Sequence, residues 1–327
     1  WLARFLVSGC TPARVRRTAR LLNGLLHDGP ERHGALALAH GCKGLIRQDG
    51  LIYAYPDRSA FVAESLAWDV RRENGLAWQE MDNEALHALE PAIGPGYSFA
   101  IFVGRGAYCT DPGGYVGALA DAARAGGAEL RQARATGFEV RDGRLQAVRT
   151  DRGDLACDRA VVAAGIHSRA LARSLGDRVP LVSERGYHVQ LPGSTGGPTH
   201  PVLPSDGKMG IPPLPGGLRA SGQVELARVD APPDWRRADI LLQNLRQTYP
   251  ALKFDPARVM RWQGNRPSTP DGLPVIGPSA ATQDVIYAFG HGHVGLAAGP
   301  KTADIVAALF TGGRPPIDAA PFAASRF

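Results

Sequence analysis

A glycine-rich turn near the end of the chain places the strongest constraint on the fold. Gly290, Gly292 and Gly295 have the spacing GxGxxG and lie between a strand-like run, Val285–Phe289, and an apolar helical pattern. A strand, such a turn and a helix usually form a pyrophosphate cradle. That cradle also needs a second strand and an acidic ribose anchor, but the remainder of the chain holds only one helix and a proline-rich tail. The turn therefore predicts an anion site of another kind, formed by backbone N–H groups and a helix start.

The size and composition are those of a globular protein with two domains. A chain of 327 residues can form two hydrophobic cores, and 44% hydrophobic and 21% charged residues are ordinary values. A net charge of +6 is compatible with nucleic acid or an anionic membrane surface as a partner. The arginines are dispersed, however, apart from Arg14, Arg16, Arg17 and Arg20 on one early helix, where a solvated face is the simpler interpretation. We expect no nucleic-acid partner, and peripheral membrane contact through this helix stays open.

The cysteines and the apolar runs exclude further classes. Cys10, Cys42, Cys109 and Cys157 are far apart and have no metal-ligand spacing, so we expect free thiols, a reducing compartment and no metal site. No apolar run approaches the roughly 18 residues of a membrane span. The expected location is the cytoplasm, with the inner face of the cytoplasmic membrane as the alternative. No paired carboxylates or nucleophile–histidine arrangement is evident, which favours a cofactor enzyme.

Local signals divide the middle of the chain into helix, meander and strand. Thr110-Asp111-Pro112 is a helix start. An antiparallel meander follows this helix, with strands predicted at Glu129–Gln132, Gly137–Arg141 and Leu145–Thr150. The apolar run Arg159–Gly165 is typical of a buried parallel strand.

The pattern changes between Val179 and Trp262. Strand-like segments alternate there with proline turns, and one helix is predicted at Trp235–Thr248. This pattern predicts a second domain built on a mixed, mainly antiparallel sheet. After Trp262 the chain returns to the strand–helix pattern of the glycine-rich turn.

Four stretches carry motifs that occur together in one family. They are the opening segment through GLIRQDGLIYAYPD, the Thr110-Asp-Pro start with its helix and meander, AVVAAGIHSRAL, and the pair GNRPSTPDGLPVIGP and FGHGHVGL. Together they span nearly the whole chain, and the last pair is the most specific. The chain resembles the D-amino-acid oxidase superfamily of FAD-dependent oxidoreductases, and within it bacterial D-amino-acid dehydrogenase-like proteins.

The resemblance implies an α/β fold (α+β overall) with two interleaved domains. The predicted boundaries are a helical segment at 1–44, a substrate domain at 45–109 and 179–262, and a Rossmann-like FAD-binding domain at 110–178 and 263–327. Family members open with a strand, a GxGxxG turn and a helix that hold the ADP part of FAD, then a second strand ending in an acidic residue. No stretch here matches that opening, so we expect this chain to lack the N-terminal βαβ unit and some sequence beyond it.

The resemblance also implies a reaction. A D-amino acid would lose its Cα hydrogen as hydride to flavin N5, and hydrolysis would give a 2-oxo acid. The electrons would pass to a quinone or another carrier. One alternative is an oxidase of the same fold that acts on glycine, sarcosine or a related amine with O2 as acceptor. Another is a non-catalytic fragment that does not retain FAD.

Three side chains are predicted to act on the substrate. Arg266 stands in the RPxxxDG stretch, whose arginine clamps the substrate carboxylate in the family, and its planar guanidinium suits that role. A surface ion pair with Asp271 is the alternative for Arg266. Tyr187 is a candidate hydroxyl for the same carboxylate, with core packing as its alternative. His293 is a candidate for proton transfer, against a solvated loop histidine.

Two loops are predicted to contact FAD. The first cradles the pyrimidine edge of the flavin ring, where a helix start stabilises negative charge; it comprises Gly290, His291, Gly292, His293, Val294, Gly295 and Leu296. The second, with Ala164, Gly165 and Ser168, approaches the ribityl or diphosphate part. The alternatives are structural: a corner that needs glycine for unusual φ angles, or close packing of a helix on a strand.

Overall fold

Helices and strands are both numerous along the chain, as the predicted fold class requires. A computed structural model describes all residues from 1 to 327. The helices are α1 (Leu2–Gly9), α2 (Pro12–Leu26), α3 (Gly29–Ala39), α4 (Arg58–Ala63), α5 (Ser65–Glu73), α6 (Asn83–Leu89), α7 (Pro112–Ala125), α8 (Ser168–Ser174), α9 (Arg236–Thr248) and α10 (Gly295–Thr311). Short 3₁₀ turns occur at Lys43–Leu45, Gly165–His167, Pro256–Arg258, Ala320–Phe322 and Ala324–Arg326.

The strands form five separate sheets. They are β1 (Ile46–Arg47), β2 (Leu51–Tyr55), β3 (Gln79–Met81), β4 (Phe99–Val103), β5 (Tyr108–Cys109), β6 (Ala135–Arg141), β7 (Arg144–Thr150), β8 (Leu155–Ala156), β9 (Ala160–Val162), β10 (Val182–Pro192), β11 (Val202–Pro204), β12 (Met209–Gly210), β13 (Pro213–Leu214), β14 (Gly217–Leu226), β15 (Met260–Ser268), β16 (Val275–Pro278) and β17 (Val285–Phe289). Three of these sheets position the candidate site.

The largest sheet is antiparallel, in the order β12-β14-β10-β15, with β13 paired to β14. Helix α9 packs against it because Leu241 and Leu245 lie one turn apart on the same helix face. Both leucines are fully buried, in one hydrophobic cluster with Val189 of β10. This cluster fixes the sheet that carries Arg266.

A small sheet, in the order β16-β17-β9, belongs to the predicted FAD-binding part. Strands β9 and β17 are parallel, and β16 is antiparallel to β17. Val162, Tyr287 and Phe289 are buried in its core. Because β9 and β17 are parallel, the loops after both strands emerge at the same edge of the sheet, which is where open α/β sheets bind ligands.

A third sheet, in the order β11-β2-β4-β3, borders the site from the other side. Helices α4 and α5 cover it, and an aromatic cluster fills the space between, with Tyr55, Phe61 and Trp68 buried. The indole N–H of Trp68 donates to the hydroxyl of Tyr55 at 2.8 Å. Helix α5 is therefore held rigidly over the sheet.

Helix α10 is fixed to the N-terminal helices by an ion pair between a buried lysine and a half-buried aspartate. Lys301 is 5% exposed, and its ammonium lies 2.7 Å from Asp28, which also pairs with Arg32 at 2.6 Å. Burial alone would raise the pKa of Asp28, but the hydrogen bonds from Lys301 and Arg32 lower it to about 2. The helix that follows the glycine-rich turn thus has a fixed position. None of the helices is both long and apolar enough to cross a bilayer.

The predicted fold class is confirmed, and so are the strand at Val285–Phe289 and the helix after it. That helix ends where Gly312 takes a left-handed φ of +70°. One predicted strand is wrong: Glu129–Gln132 forms no strand, and the meander consists of β6, β7 and β8. The segment is exposed and its Glu129 pairs locally with Arg131 at 2.6 Å. Without a neighbouring strand, β-propensity does not suffice.

Candidate functional site

Arg266 and Glu184 occupy facing positions on neighbouring strands. Arg266 of β15 is directly opposite Glu184 of β10 in the antiparallel register. Opposed residues project to the same face of a sheet, and residues two apart on one strand share that face. Gly186 therefore lies on the face of Arg266, and a Cβ at this position would overlap the guanidinium of Arg266. The guanidinium lies across the bare backbone of Gly186.

The guanidinium of Arg266 has no carboxylate within ion-pair distance. Asp271, the partner in the alternative interpretation, pairs instead with Arg326 at 2.8 Å. Arg266 donates only a long hydrogen bond of 3.5 Å to the carbonyl of Gln223. Burial lowers the pKa of Arg266, and the nearby Glu184 carboxylate opposes that shift. A half-buried cation with spare donors of this kind suits a carboxylate ligand.

Glu184 ties the glycine-rich loop to the strand beside Arg266. One of its carboxylate oxygens is bonded to Nε2 of His293, and the other accepts a 2.8 Å hydrogen bond from the hydroxyl of Ser268. The bond to His293 is the main cause that lowers the pKa of Glu184, and it outweighs burial. The carboxylate is therefore ionised at neutral pH, and it orients the His293 ring.

Arg266 and His293 line the same cavity, whose volume is about 690 Å³. This volume is in the range of small-molecule sites. Tyr53 of β2, Arg71 of α5 and Lys208 also line the cavity. Two of the three predicted catalytic side chains are thus brought together.

The third, Tyr187, is not brought to this cavity. It pairs with Gln263 in the β10–β15 register, one position away from Gly186, so it projects to the opposite face. The hydroxyl of Tyr187 donates to Glu225 at 2.5 Å and accepts from the backbone N–H of Asp234 at 3.0 Å. The side chain is 1% exposed, within the cluster that packs on α9. Core packing, the alternative interpretation, describes this residue.

The glycine-rich loop has a backbone that only glycine adopts easily. The φ angles are +80° at Gly290 and +51° at Gly292, both in the left-handed region. The N–H of Gly292 donates to the carbonyl of Pro267 at 3.1 Å. A Cβ at Gly290 would lie 3.2 Å from Thr269. The loop therefore packs closely against the end of the strand that carries Arg266.

The start of α10 leaves donors for a ligand. Gly295 is its first residue, and the N-cap Val294 has no side-chain acceptor. The first N–H groups of such a helix lack intrahelical partners and carry partial positive charge. Leu296, in the same turn, is exposed, and it lines a second cavity of about 230 Å³ together with His293. This arrangement suits the negatively charged edge of a ligand.

His291 has a supporting position in this loop. A ring nitrogen, Nε2, lies 3.0 Å from the hydroxyl of Thr302 on α10. Burial lowers the pKa of His291 to about 4. The imidazole is therefore neutral at pH 7, and it joins the loop to the helix rather than facing the cavity that holds Arg266.

The second predicted loop lies at the same sheet edge as the first. Ala164, Gly165 and Ser168 follow β9, whose carboxyl end is next to that of β17. Gly165 has a φ of +55°, and the 3₁₀ turn that it opens contacts β15. The hydroxyl of Ser168 is fully buried and has no hydrogen-bond partner. Such a group costs about 1–3 kcal/mol, which an acceptor on a ligand would recover.

Four residues of the site were not predicted from the sequence: the lining residues Glu64, Arg71 and Lys208 of the cavity, and Glu184, which bonds to His293. Glu184 had one available signal, because it stands two positions before a glycine in a strand and so shares a face with it. Arg71 stands three residues after Trp68 and so lies on the same helix face. Nothing local indicated that these residues would meet Arg266.

The family comparison places this chain among the FAD-dependent oxidoreductases. Residues 3–309 match the family model described as DAO, FAD dependent oxidoreductase. The chain belongs to this family. The two loops fit its cofactor, because the glycine-rich turn with its uncapped helix start suits the flavin ring and the unpartnered Ser168 hydroxyl offers a contact to the rest of FAD.

The chain is similar in sequence to proteins named as amino acid oxidases and dehydrogenases. The chain is 46% identical to a D-amino-acid oxidase of Bradyrhizobium diazoefficiens over all of its own length and 78% of the relative's. It is 29% identical to a D-amino acid dehydrogenase of Paramagnetospirillum magneticum, over 95% of this chain and 74% of that one. A glycine oxidase of Pseudomonas putida is 30% identical over 80% of this chain and 71% of its own.

Solved structures share the fold at low identity. An L-proline dehydrogenase from P. horikoshii superposes with a TM-score of 0.80 at 18% identity, covering 97% of this chain and 84% of that chain. An L-amino acid deaminase from Proteus vulgaris gives 0.78 at 22% identity, with 92% and 78% covered. These similarities concern the fold alone.

Proposed function

We propose that the protein oxidises D-amino acids to 2-oxo acids with FAD. The observation that carries this proposal is the free guanidinium of Arg266, which faces a cavity bordered by the glycine-rich loop. The 46% identity to a D-amino-acid oxidase over the whole chain supports the substrate class.

Substrate binding is assigned to Arg266. Its planar fork pairs two N–H groups with the two oxygens of the substrate carboxylate, which fixes both position and orientation. Gly186 leaves the space that the guanidinium occupies, because the side chain of any larger residue would displace it. FAD, when bound, supplies the acceptor for the hydrogen and electron pair that leave the substrate Cα.

Removal of a proton from the substrate ammonium is assigned to His293. Its Nε2 is bonded to the ionised Glu184, so Nδ1 is the nitrogen that remains free to accept a proton. The negative charge of Glu184 would stabilise the resulting imidazolium. Loss of the amine proton and of hydride from Cα gives an imino acid, which water hydrolyses to the 2-oxo acid and ammonia.

The electron acceptor separates two variants of this function. Transfer to a quinone or another carrier is supported by relatives named D-amino acid dehydrogenase. Transfer to O2 is supported by the relative named D-amino-acid oxidase. Hydrogen peroxide formed in step with substrate loss in air would identify an oxidase, and dye reduction without peroxide would identify a dehydrogenase. Activity on glycine or sarcosine above that on D-alanine would favour the amine-oxidase alternative, which the 30% identity to a glycine oxidase supports.

A second proposal concerns the structural unit that binds the ADP part of FAD. We propose that a βαβ unit beyond these 327 residues pairs with β9, which is an edge strand with Val161 exposed. An unpaired parallel edge of this kind is normally covered. The 327-residue chain alone should then bind FAD and FMN with similar affinity. A much higher affinity for FAD would show that this chain already holds the ADP part, and failure to bind either flavin would favour the non-catalytic fragment.

Contact with the inner face of the cytoplasmic membrane is a further part of the proposal. Helix α1 exposes Leu2, Phe5 and Leu6, and α2 beside it carries Arg14 and Arg17. Apolar residues next to cations favour an anionic lipid surface. Sedimentation with anionic vesicles but not with zwitterionic ones, reversed by salt, is the expected result. Equal recovery in the supernatant with both vesicle types would exclude the contact.

The proposed reaction is tested by the visible spectrum of the FAD-loaded protein under anaerobic conditions. Addition of a D-amino acid should bleach the flavin band, whereas the L-enantiomer should leave it unchanged. Bleaching by neither enantiomer across a panel of amino acids would contradict the proposed function.

A further inference from the structure

The cavity that contains Arg266 holds a second free guanidinium. Arg71 of α5 lines it, and this side chain lies over the ring of Trp68 at 4.6 Å and that of Tyr53 at 5.4 Å. Cation–π contacts of this kind hold a guanidinium in place without neutralising its charge. No carboxylate lies within ion-pair distance of Arg71, so its N–H donors remain available.

The acidic side chain of the cavity forms no ion pair with Arg71, and its electrostatic attraction to Arg71 is shared with Lys208. Glu64 is the only acidic side chain among the lining residues. It is paired with Lys208 at 2.8 Å and also accepts a 2.8 Å hydrogen bond from Tyr55. The cavity therefore retains two unpaired guanidinium groups, on Arg266 and Arg71. A substrate with one carboxylate would neutralise only the first.

We propose that Arg71 binds a second carboxylate and that the preferred substrates are acidic D-amino acids. This inference rests on the proposed function and specifies its substrate class. Arg266 binds the carboxylate next to Cα, and Arg71 binds the carboxylate of the side chain. The planar fork of Arg71 suits bidentate recognition of this second group, and the cavity of about 690 Å³ has room for the four- or five-carbon diacids.

Trp68 makes this second site rigid. Its ring is buried, its indole N–H is bonded to Tyr55, and its face supports Arg71. A guanidinium that is already positioned loses little side-chain entropy when it binds an anion. Replacing a charged hydrogen-bonding group on the substrate by a neutral isostere should therefore reduce kcat/KM by about 10- to 100-fold.

The test compares each acidic substrate with its amide isostere. In the FAD-loaded protein, D-aspartate should exceed D-asparagine, and D-glutamate should exceed D-glutamine, by at least about tenfold in kcat/KM. Arg71→Met should bring the acid-to-amide ratio of kcat/KM close to one, while Arg71→Lys should retain part of the preference. Arg72→Met is the matched control, because Arg72 lies over Trp78 at 4.8 Å on the same helix but outside the cavity.

Two outcomes would overturn the inference about acidic substrates without contradicting the proposed function. One is equal kcat/KM for acid and amide in a protein that oxidises D-alanine. The other is a preference that survives Arg71→Met. If no D-amino acid is oxidised at all, the proposed function itself fails.

A binding measurement that needs no turnover completes the test. Calorimetric titration should show tighter binding of succinate than of its monoamide, succinamate. Arg71→Met should remove the difference, and Arg72→Met should keep it. Equal affinities in the unsubstituted protein, or a difference unaffected by Arg71→Met, would overturn the assignment.

Discussion

Gly186 lies two residues from Glu184, the residue opposite Arg266, and on the same face of the sheet, and its missing side chain makes room for the guanidinium of Arg266. The glycine is needed here for space and not for its backbone angles, because the φ angle of Gly186 is not positive. The position of the proposed substrate clamp thus depends on a residue that need not touch the substrate.

Gly186→Ala should therefore impair substrate binding. The new methyl group would displace the guanidinium from its place across the strand, and a shift of this kind near a reacting substrate is costly. We expect KM for the amino acid to rise by about tenfold or more, which corresponds to about 1.4 kcal/mol, with flavin content unchanged. Steady-state kinetics with absorbance measurement of bound flavin check both parts.

Gly117→Ala is the control for this substitution, because a Cβ at position 117 of α7 meets no atom within 4 Å. It should behave as the unsubstituted protein does. An unchanged KM in Gly186→Ala would show that the guanidinium of Arg266 moves without loss of binding, and that a glycine at position 186 is not needed to leave space for it.

Gly292→Val should reduce the retention of flavin. Its φ of +51° is strained for any β-branched residue, and the added atoms would lie beside Ser268, against which a Cβ would already be 3.4 Å away. The ratio of flavin absorbance to protein after gel filtration should fall, while the far-UV circular dichroism stays the same. Gly299→Val within α10, where a Cβ meets nothing within 4 Å, should keep the ratio. Equal flavin content in both variants would remove the loop from the cofactor site.

The stability of the protein should decrease as the pH falls from about 6.5 to about 4. Burial lowers the folded-state pKa of His291 from 6.5 to about 4, and burial together with Arg219 does the same to His188. In this window the unfolded state binds more protons, so the free energy of unfolding falls with decreasing pH. His291 would contribute up to about 3 kcal/mol, which is complete above pH 6.5 and lost at about pH 4; the more exposed His188 would contribute less, because solvent screens it.

Urea unfolding of His291→Gln at a series of pH values tests this dependence. The variant should lose part of the slope between pH 6.5 and 4, since glutamine does not titrate. His40→Gln, at an exposed position, should keep the full slope. A slope that is identical in His291→Gln and the unsubstituted protein would mean that His291 is protonated as easily in the folded state as in the unfolded one.

The elements that were predicted correctly have local signals. The strand at Val285–Phe289, the glycine turn and the helix that stops at Gly312 are each encoded within a few residues, through an apolar run, a conformational need for glycine and a helix stop. The prediction of a strand at Glu129–Gln132 was wrong because a strand also needs a neighbouring strand to pair with, and the local sequence pattern does not indicate which segment that is.

The site was predictable only in part, for a similar reason. The motif around Arg266 and the two loops could be recognised locally, but their meeting depends on the register of β10 with β15 and on the parallel pairing of β9 with β17. Tyr187 illustrates the limit: it is next to Gly186 in sequence, yet the alternation of a strand places it in the core. Arg71 lies almost 200 residues before Arg266 in the sequence, so only the folded structure could bring the two guanidinium groups to one cavity.

The role of Arg266 as the substrate clamp is tested most directly by the kinetic effect of Arg266→Ala on substrates with and without a carboxylate. D-Alanine and D-alaninamide differ mainly in that group, so their ratio of kcat/KM reports the clamp. Loss of a charge-assisted bidentate pair should cost about 1.5–3 kcal/mol, or about 10- to 150-fold in kcat/KM for D-alanine. Activity on the amide should change little, and flavin content should be kept.

Arg261→Ala provides the control on the same strand, because Arg261 pairs at the surface with Asp239 at 2.6 Å and does not line the cavity. Arg266→Ala should remove the preference for D-alanine over D-alaninamide, and Arg261→Ala should retain it. The same preference in both variants, or equal losses of flavin and activity in Arg266→Ala, would contradict the clamp.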